Sequence, residues 1–369
     1  MLDNRRPDHV RHGRPAVELG VTSRRTLLAG MAALPLAGCG AWSVLTAGPS
    51  PLAAGVGGVE MLDPALVAII DPAARAEVLA TGYAWAEGPV WVEQTSGRAG
   101  GYLLFNDPGN NVMYRYRPGG TVEQFLRPSG LQTPVPPDIR EAGANGMAID
   151  PAGRLVIADS GTRAISAIDL ATGARTVLVD RFEGRRFNSP NDMTIARNGA
   201  IYFTDPPYGF AAAEDSPLRE VQHNGLYLRD PDGRLHLLDT HHRPNGVGLS
   251  PDERTLYLAL SDEARPQVLA YALGTDGRPT GAPRLFHDMT SHHAAGRPGL
   301  PDGMDVAEDG TIFATGPGGV HVLSPGGGLL GIIGTGTAIA NCAIGRAEDG
   351  GRCLYLTAHT TLARVRLRG

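Results

Sequence analysis

Two carboxylates and four amides open six short, similar words along the chain: Glu87-Gly-Pro-Val-Trp91, Asn145-Gly-Met-Ala-Ile149, Asn191-Asp-Met-Thr-Ile195, Asn245-Gly-Val-Gly-Leu249, Asp302-Gly-Met-Asp-Val306 and Asn341-Cys-Ala-Ile344. Brought together, Glu87 and Asp302 would supply charged oxygens and the asparagines neutral carbonyl oxygens. That all-oxygen set suits one hard divalent cation, its charge balanced by two carboxylates. Calcium (Ca2+) fits best, with Mg2+, Mn2+ or Zn2+ as alternatives. A single Asn-Gly or Asp-Gly is a turn signal and no more. Six polar lead residues, two of them acidic, point instead to a functional ring, because Asn and Asp are depleted in strands.

The elements that must carry this ring follow from the repeat. Each word reads as a short strand, and most are followed by a Gly turn and a second apolar strand, as in Asn191 to Asp205. Successive lead positions lie 58, 46, 54, 57 and 39 residues apart, a blade-sized interval. Further strand-like runs between copies, such as Gly225-Leu-Tyr-Leu-Arg229 and Leu235-His-Leu-Leu238, bring each unit to four strands. The expectation is an all-β fold, a six-bladed β-propeller over residues 60–369, with the strand that closes the ring left open. Inner strands of such a fold surround one channel, and second strands return to the same end. The geometry gathers the six lead residues at one mouth and sets Asp107, Asp159, Asp205 and His359 on its rim. Residues 128–143, residues 211–223 and the His-rich Ser291-His-His-Ala-Ala-Gly-Arg297 should overhang that mouth, where loops set specificity. The histidines of the last read as solvated loop residues, since no Cys or acidic spacing completes a zinc set.

At these words the chain resembles the SMP-30, gluconolactonase and regucalcin-like family, over residues 83–368. Asn188-Ser-Pro-Asn-Asp192, Thr204-Asp-Pro-Pro-Tyr-Gly209, Pro244-Asn-Gly246, Pro301-Asp-Gly303 and Ala340-Asn-Cys342 carry the resemblance together with Glu87-Gly-Pro-Val-Trp91. It implies a six-bladed propeller with one divalent metal at the channel mouth. It also implies hydrolysis of a lactone, of which a sugar lactone such as gluconolactone is the first expectation. By motif match the metal ligands are Glu87, Asn191, Asn245 and Asp302, with Asp302 also the catalytic acid or base. Asn145 and Tyr208 match bacterial members as substrate contacts. Asp205, on the expected rim, is a further substrate contact and an alternative base.

Other classes recede on composition. With 33 basic against 38 acidic residues, a net charge of −5 and no basic cluster beyond the leader, nucleic acid is not an expected partner. Every basic residue is arginine, which removes lysine Schiff-base chemistry. Neither a Gly-x-Ser-x-Gly elbow nor a His-Glu-x-x-His helix occurs. The rival reading is a non-catalytic lipoprotein that binds a sugar or other ligand through the same metal ring. No protein partner is implied.

The first 38 residues read as a leader. Ser23-Arg24-Arg25-Thr26-Leu27-Leu28 and a short apolar run suit a Tat-type export signal, and the run is too short for a comfortable membrane span. Leu36-Ala37-Gly38-Cys39 looks like a lipobox, which would lipidate Cys39 and leave residues 39–59 as a linker. The expected location is periplasmic or cell-surface, with membrane attachment only through this anchor. Cys342 and Cys353 flank one expected hairpin at positions that do not fall directly opposite, so a disulfide and two buried thiols both fit.

Overall fold

The computed structural model describes residues 55–94 and 100–369. The leader, Cys39 and the linker up to residue 54 lie outside the described residues. The chain forms six antiparallel sheets of a β-propeller, each with at least four strands. Their innermost strands are Glu87–Glu93, Ala144–Ile149, Met193–Ile195, Pro244–Leu249, Met304–Val306 and Asn341–Arg346, one from each of the repeated words. We number the blades one to six in that order.

Period-two alternation lets each strand bury side chains on both faces of its blade, so the core is a series of apolar layers between neighbouring sheets. Between blades three and four, for example, Tyr202, Leu226 and Leu228 pack with Leu256, Leu258 and Tyr271. Each such aliphatic side chain contributes roughly 1.5–3 kcal/mol on burial.

The closing strand comes from the N-terminal side. Blade six has only three strands of its own, and Glu77–Thr81 completes it by pairing antiparallel with Thr361–Arg366, Val78 opposite Ala363. Blade five gains a fifth strand, Gly58–Met61, on the outer edge of Leu329–Gly334. Both additions cover edges that would otherwise expose unpaired backbone. The first strand among the described residues therefore begins at Gly58, inside the stretch read from sequence as linker. Cys342 and Cys353 are free and buried, and their registers, Cys342 opposite Leu356 and Cys353 opposite Gly345, keep them apart.

Candidate active site

The lead residues converge because their neighbours allow the inner strands to crowd. A Cβ on Gly88 would lie 1.9 Å from the Asn145 carbonyl oxygen, and one on Gly246 would lie 2.1 Å from that of Asp302. These glycines are therefore points of close approach between adjacent blades, within strands rather than turns. A bulge accompanies them in blades one, two and four, where pairing skips from Glu87 to Val90, Ala144 to Met147 and Pro244 to Val247.

A polar collar then ties blade to blade. Asn106 Nδ2 donates to the Asn145 carbonyl at 2.6 Å, Ser160 Oγ to that of Pro190 at 2.8 Å and Thr204 Oγ1 to that of Asn245 at 2.8 Å. Ser261 Oγ donates to Pro301 at 2.5 Å and Thr315 Oγ1 to Ala340 at 3.0 Å. Each donor sits at the end of a second strand and fixes the backbone beside the next blade's lead residue.

At this mouth lies a cavity of about 810 Å³. Glu87, Asn145, Asn191, Tyr208, Asn245 and Asp302 all line it. Asn341 does not; it lines a second cavity of about 360 Å³ further along the channel, with Asp192 and Asp305.

Asp205 reaches neither cavity, which corrects its assignment to the rim. It is wholly buried, and its Oδ2 accepts the Asn188 backbone N–H at 2.8 Å. Asp107 and Asp159 behave alike, accepting from Ala84 N at 2.9 Å and Thr162 N at 2.9 Å. These strand-end carboxylates hold loop backbone, as aspartates do in turns. His359 is exposed and packs edge-on to Trp85.

Of the carboxylates that line the cavity, Glu87 and Asp302 have no cationic partner among the described residues. Glu87 is oriented by the Trp85 indole N–H at 3.3 Å and the Gly88 N–H at 2.9 Å. Among the described residues no Arg or His forms an ion pair with Glu87 or Asp302, whereas Glu60, Glu141 and Glu214 are each paired with arginine. Burial raises the pKa of Glu87, and the charges of Asp192 and Glu141 add to it. Asp302 is raised well above its ordinary value, again first by burial and then by the charge of Glu87. Clustered, desolvated carboxylates of this kind are relieved by a cation.

The neutral donors complement them. The Asn245 amide donates through Nδ2 to Ser261 Oγ at 2.9 Å. Asn191 is buried and lines the cavity. Among the described residues no three of His, Cys, Asp and Glu converge as a metal set. What converges is two carboxylates with amides, an oxygen set that fits a hard divalent ion.

Several wall residues carry no signal in the repeat: Trp85, Arg140, Glu141, Arg243, Ser261 and Arg297. Three of them trace to the overhanging segments. Residues 128–143 bring Arg140 and Glu141, and the His-rich segment brings Arg297 beside His293. Residues 211–223 act through Glu214, whose carboxylate holds Arg243 by two hydrogen bonds of 3.1 and 3.2 Å. Tyr208 donates its hydroxyl to the Arg243 carbonyl at 3.2 Å, and burial raises its pKa.

A six-bladed propeller with a carboxylate and amide ring at its channel mouth is the class these features define. Residues 85–360 match the SMP-30/Gluconolactonase/LRE-like region, and the chain belongs to that family. It is 39% identical to a gluconolactonase of Zymomonas mobilis over 358 residues, spanning 95% of this chain and 98% of that one. Its fold is similar to a solved gluconolactonase from Xanthomonas campestris, with a TM-score of 0.70 and 31% identity over 86% of this chain and 99% of that chain. A calcium-binding regucalcin from Agrobacterium tumefaciens shares the fold at 19% identity, with a TM-score of 0.58 over 79% of this chain and 94% of that chain.

Proposed function

We propose that the protein is a lactonase that hydrolyses a sugar lactone such as gluconolactone, with a divalent metal, calcium first, held by Glu87, Asn191, Asn245 and Asp302. The observation that carries this is the cavity of about 810 Å³, in which those four side chains meet Asn145 and Tyr208 and the two carboxylates have no cation of their own. Close likeness to proteins named gluconolactonase supports the reaction class.

The chemistry such an ion supplies when bound is polarisation of the lactone carbonyl and stabilisation of the oxyanion. Glu87, fixed by the Trp85 and Gly88 N–H groups, and Asn245, fixed by Ser261, are preorganised to hold it. Asp302 accepts the proton of the attacking water. Asn145 and Tyr208 bind ring hydroxyls, Tyr208 accepting on its phenol oxygen while its own O–H donates to the Arg243 carbonyl. Asp205, engaged with the Asn188 backbone, has no part in this reading.

Hydrolysis of gluconolactone and a panel of other lactones, with and without a chelator, tests it. Turnover that the chelator abolishes and calcium restores is the expected result. Metal-dependent sugar binding without turnover of any lactone would replace the enzyme by a ligand-binding propeller.

The cellular setting belongs to the same proposal. The twin arginines Arg24 and Arg25 and the lipobox ending at Cys39 support Tat export and a lipid anchor on the periplasmic or cell-surface side.

A further inference from the structure

Arg243 precedes Asn245 by two residues and lines the same cavity. Its backbone is left-handed, with φ at 55°, although the proline that follows presses it towards extended backbone. Glycine holds that conformation at no steric cost, so the backbone alone gives no reason for an arginine here. The strained peptide is fixed through its carbonyl, which accepts the Ser261 N–H at 3.0 Å and the Tyr208 hydroxyl at 3.2 Å.

The guanidinium is aimed from two sides. Glu214 holds Nε and Nη2 at 3.1 and 3.2 Å, and the guanidinium carbon lies 5.9 Å from the centre of the Tyr208 ring, itself part of the cavity wall. Glu214 is fastened in turn: its carbonyl accepts Arg219 Nη1 at 3.1 Å, and Arg219 Nη2 donates to Asn224 Oδ1 at 3.1 Å. A guanidinium carries five N–H donors and no acceptor. Two are spent on Glu214, and Nη1 makes no hydrogen bond among the described residues. The side chain is 37% exposed, so these remaining donors are open to a ligand. Arg297, on the same wall, turns both of its Nη groups to Glu60 instead. Because Glu214 cancels most of the Arg243 charge at contact distance, the free N–H groups suit a neutral hydroxyl oxygen better than a phosphate or carboxylate.

We propose that Arg243, positioned by Glu214, is a specificity residue that donates to hydroxyl oxygens of an uncharged sugar lactone; this rests on the lactonase reading above. A site built to bond a hydroxyl rejects the analogue that lacks it far more strongly than an apolar pocket rejects a missing methylene.

The test compares glucono-δ-lactone, 6-phosphoglucono-δ-lactone and δ-valerolactone in the wild type, Arg243→Met, Glu214→Ala and Glu214→Gln. In Arg243→Met, which keeps a long stem and loses the donors, kcat/KM for glucono-δ-lactone falls about 10–100-fold, the value of a hydrogen bond to a charged group. That for δ-valerolactone falls by a much smaller factor, so the ratio collapses. Glu214→Ala frees the guanidinium and lowers the same ratio, and Glu214→Gln, which keeps an acceptor oxygen, restores most of it. Thermal melting near the wild-type temperature confirms a folded propeller in each variant. Titration with gluconate and 5-hydroxypentanoate, which differ only in the hydroxyls of the tail, reads the preference without turnover. A parallel fall on both unphosphorylated substrates, or an unchanged ratio, overturns the assignment. A wild-type preference for the phosphorylated lactone that Arg243→Met abolishes overturns the uncharged substrate class. A wild type that opens none of the three lactones instead overturns the lactonase reading, and the titration then decides the role of Arg243 alone.

Discussion

Asn245 donates through Nδ2 to Ser261 Oγ at 2.9 Å, and that hydroxyl donates onward to the Pro301 carbonyl at 2.5 Å. One serine therefore sets the orientation of one proposed ligand and the backbone preceding another, Asp302. Outer partners of this kind govern affinity nearly as strongly as the ligands. Ser261→Ala should weaken calcium binding about 10–100-fold while leaving a folded propeller. Calorimetric titration reads it; an unchanged dissociation constant would show that Ser261 serves only the collar.

Glu87→Gln removes one charged donor with little change of shape. The rise in melting temperature on adding calcium should shrink sharply, because stabilisation by a ligand follows its affinity for the folded state. Two thermal scans, with chelator and with calcium, are sufficient. An undiminished rise would remove Glu87 from the ligand set.

The raised pKa values of Glu87 and Asp302 give the metal-free protein a definite pH dependence. A carboxylate whose folded pKa lies above its unfolded one binds protons more tightly when folded. The stability this contributes is full below the ordinary values of 4.5 and 3.8 and is lost as pH rises through the raised ones. Chelated protein should thus lose stability from above the ordinary carboxylate range toward neutral pH. The calcium-linked gain should grow over the same range, since binding requires the ionised forms. Denaturant midpoints across pH, with and without calcium, check both slopes. A metal-free protein that gains stability over that interval would contradict the electrostatic picture of the site.

The propeller is legible in the chain because each blade repeats a polar lead residue, a small residue and two apolar strands. The small residue is easier to find than to explain. Asn-Gly reads locally as a turn, yet Gly246 is required by the Asp302 carbonyl of the next blade, a contact 56 residues away. Asp205 misleads for a related reason: its strand-end position suggests the rim, but local backbone N–H groups of residues 188–189 claim the side chain. Glu141 and Ser261 carry no repeat signature, and neither does the pairing of Glu77–Thr81 with Thr361–Arg366, which joins opposite ends of the fold. Such long-range contacts follow from closing the ring rather than from any local pattern.

The export reading makes a separate demand on the cell. Replacing Arg24 and Arg25 with lysine should block translocation, and Cys39→Ala should release the protein from membranes into the soluble fraction. Fractionation with an antibody to the mature chain measures both. Membrane association that survives Cys39→Ala would discard the lipid anchor.

Asp302 bears the heaviest part of the proposed mechanism, as a ligand and as the base for the attacking water. The two roles pull against each other, because binding a cation makes a carboxylate less basic. The substitution Asp302→Asn separates them: the amide keeps an oxygen donor and removes the proton acceptor. With calcium raised until the site is full, verified by titration, kcat should still fall by about 10²–10⁴-fold, the range of a lost general base. Affinity for the ion should fall as well, but that loss is recoverable by concentration and the loss in kcat is not. No alternative base is available at Asp205, whose carboxylate is buried away from the cavity. Turnover near the wild-type value in a demonstrably filled site would therefore confine Asp302 to ligation and move the search for the base to Glu141 and Glu263, the other carboxylates lining the cavity.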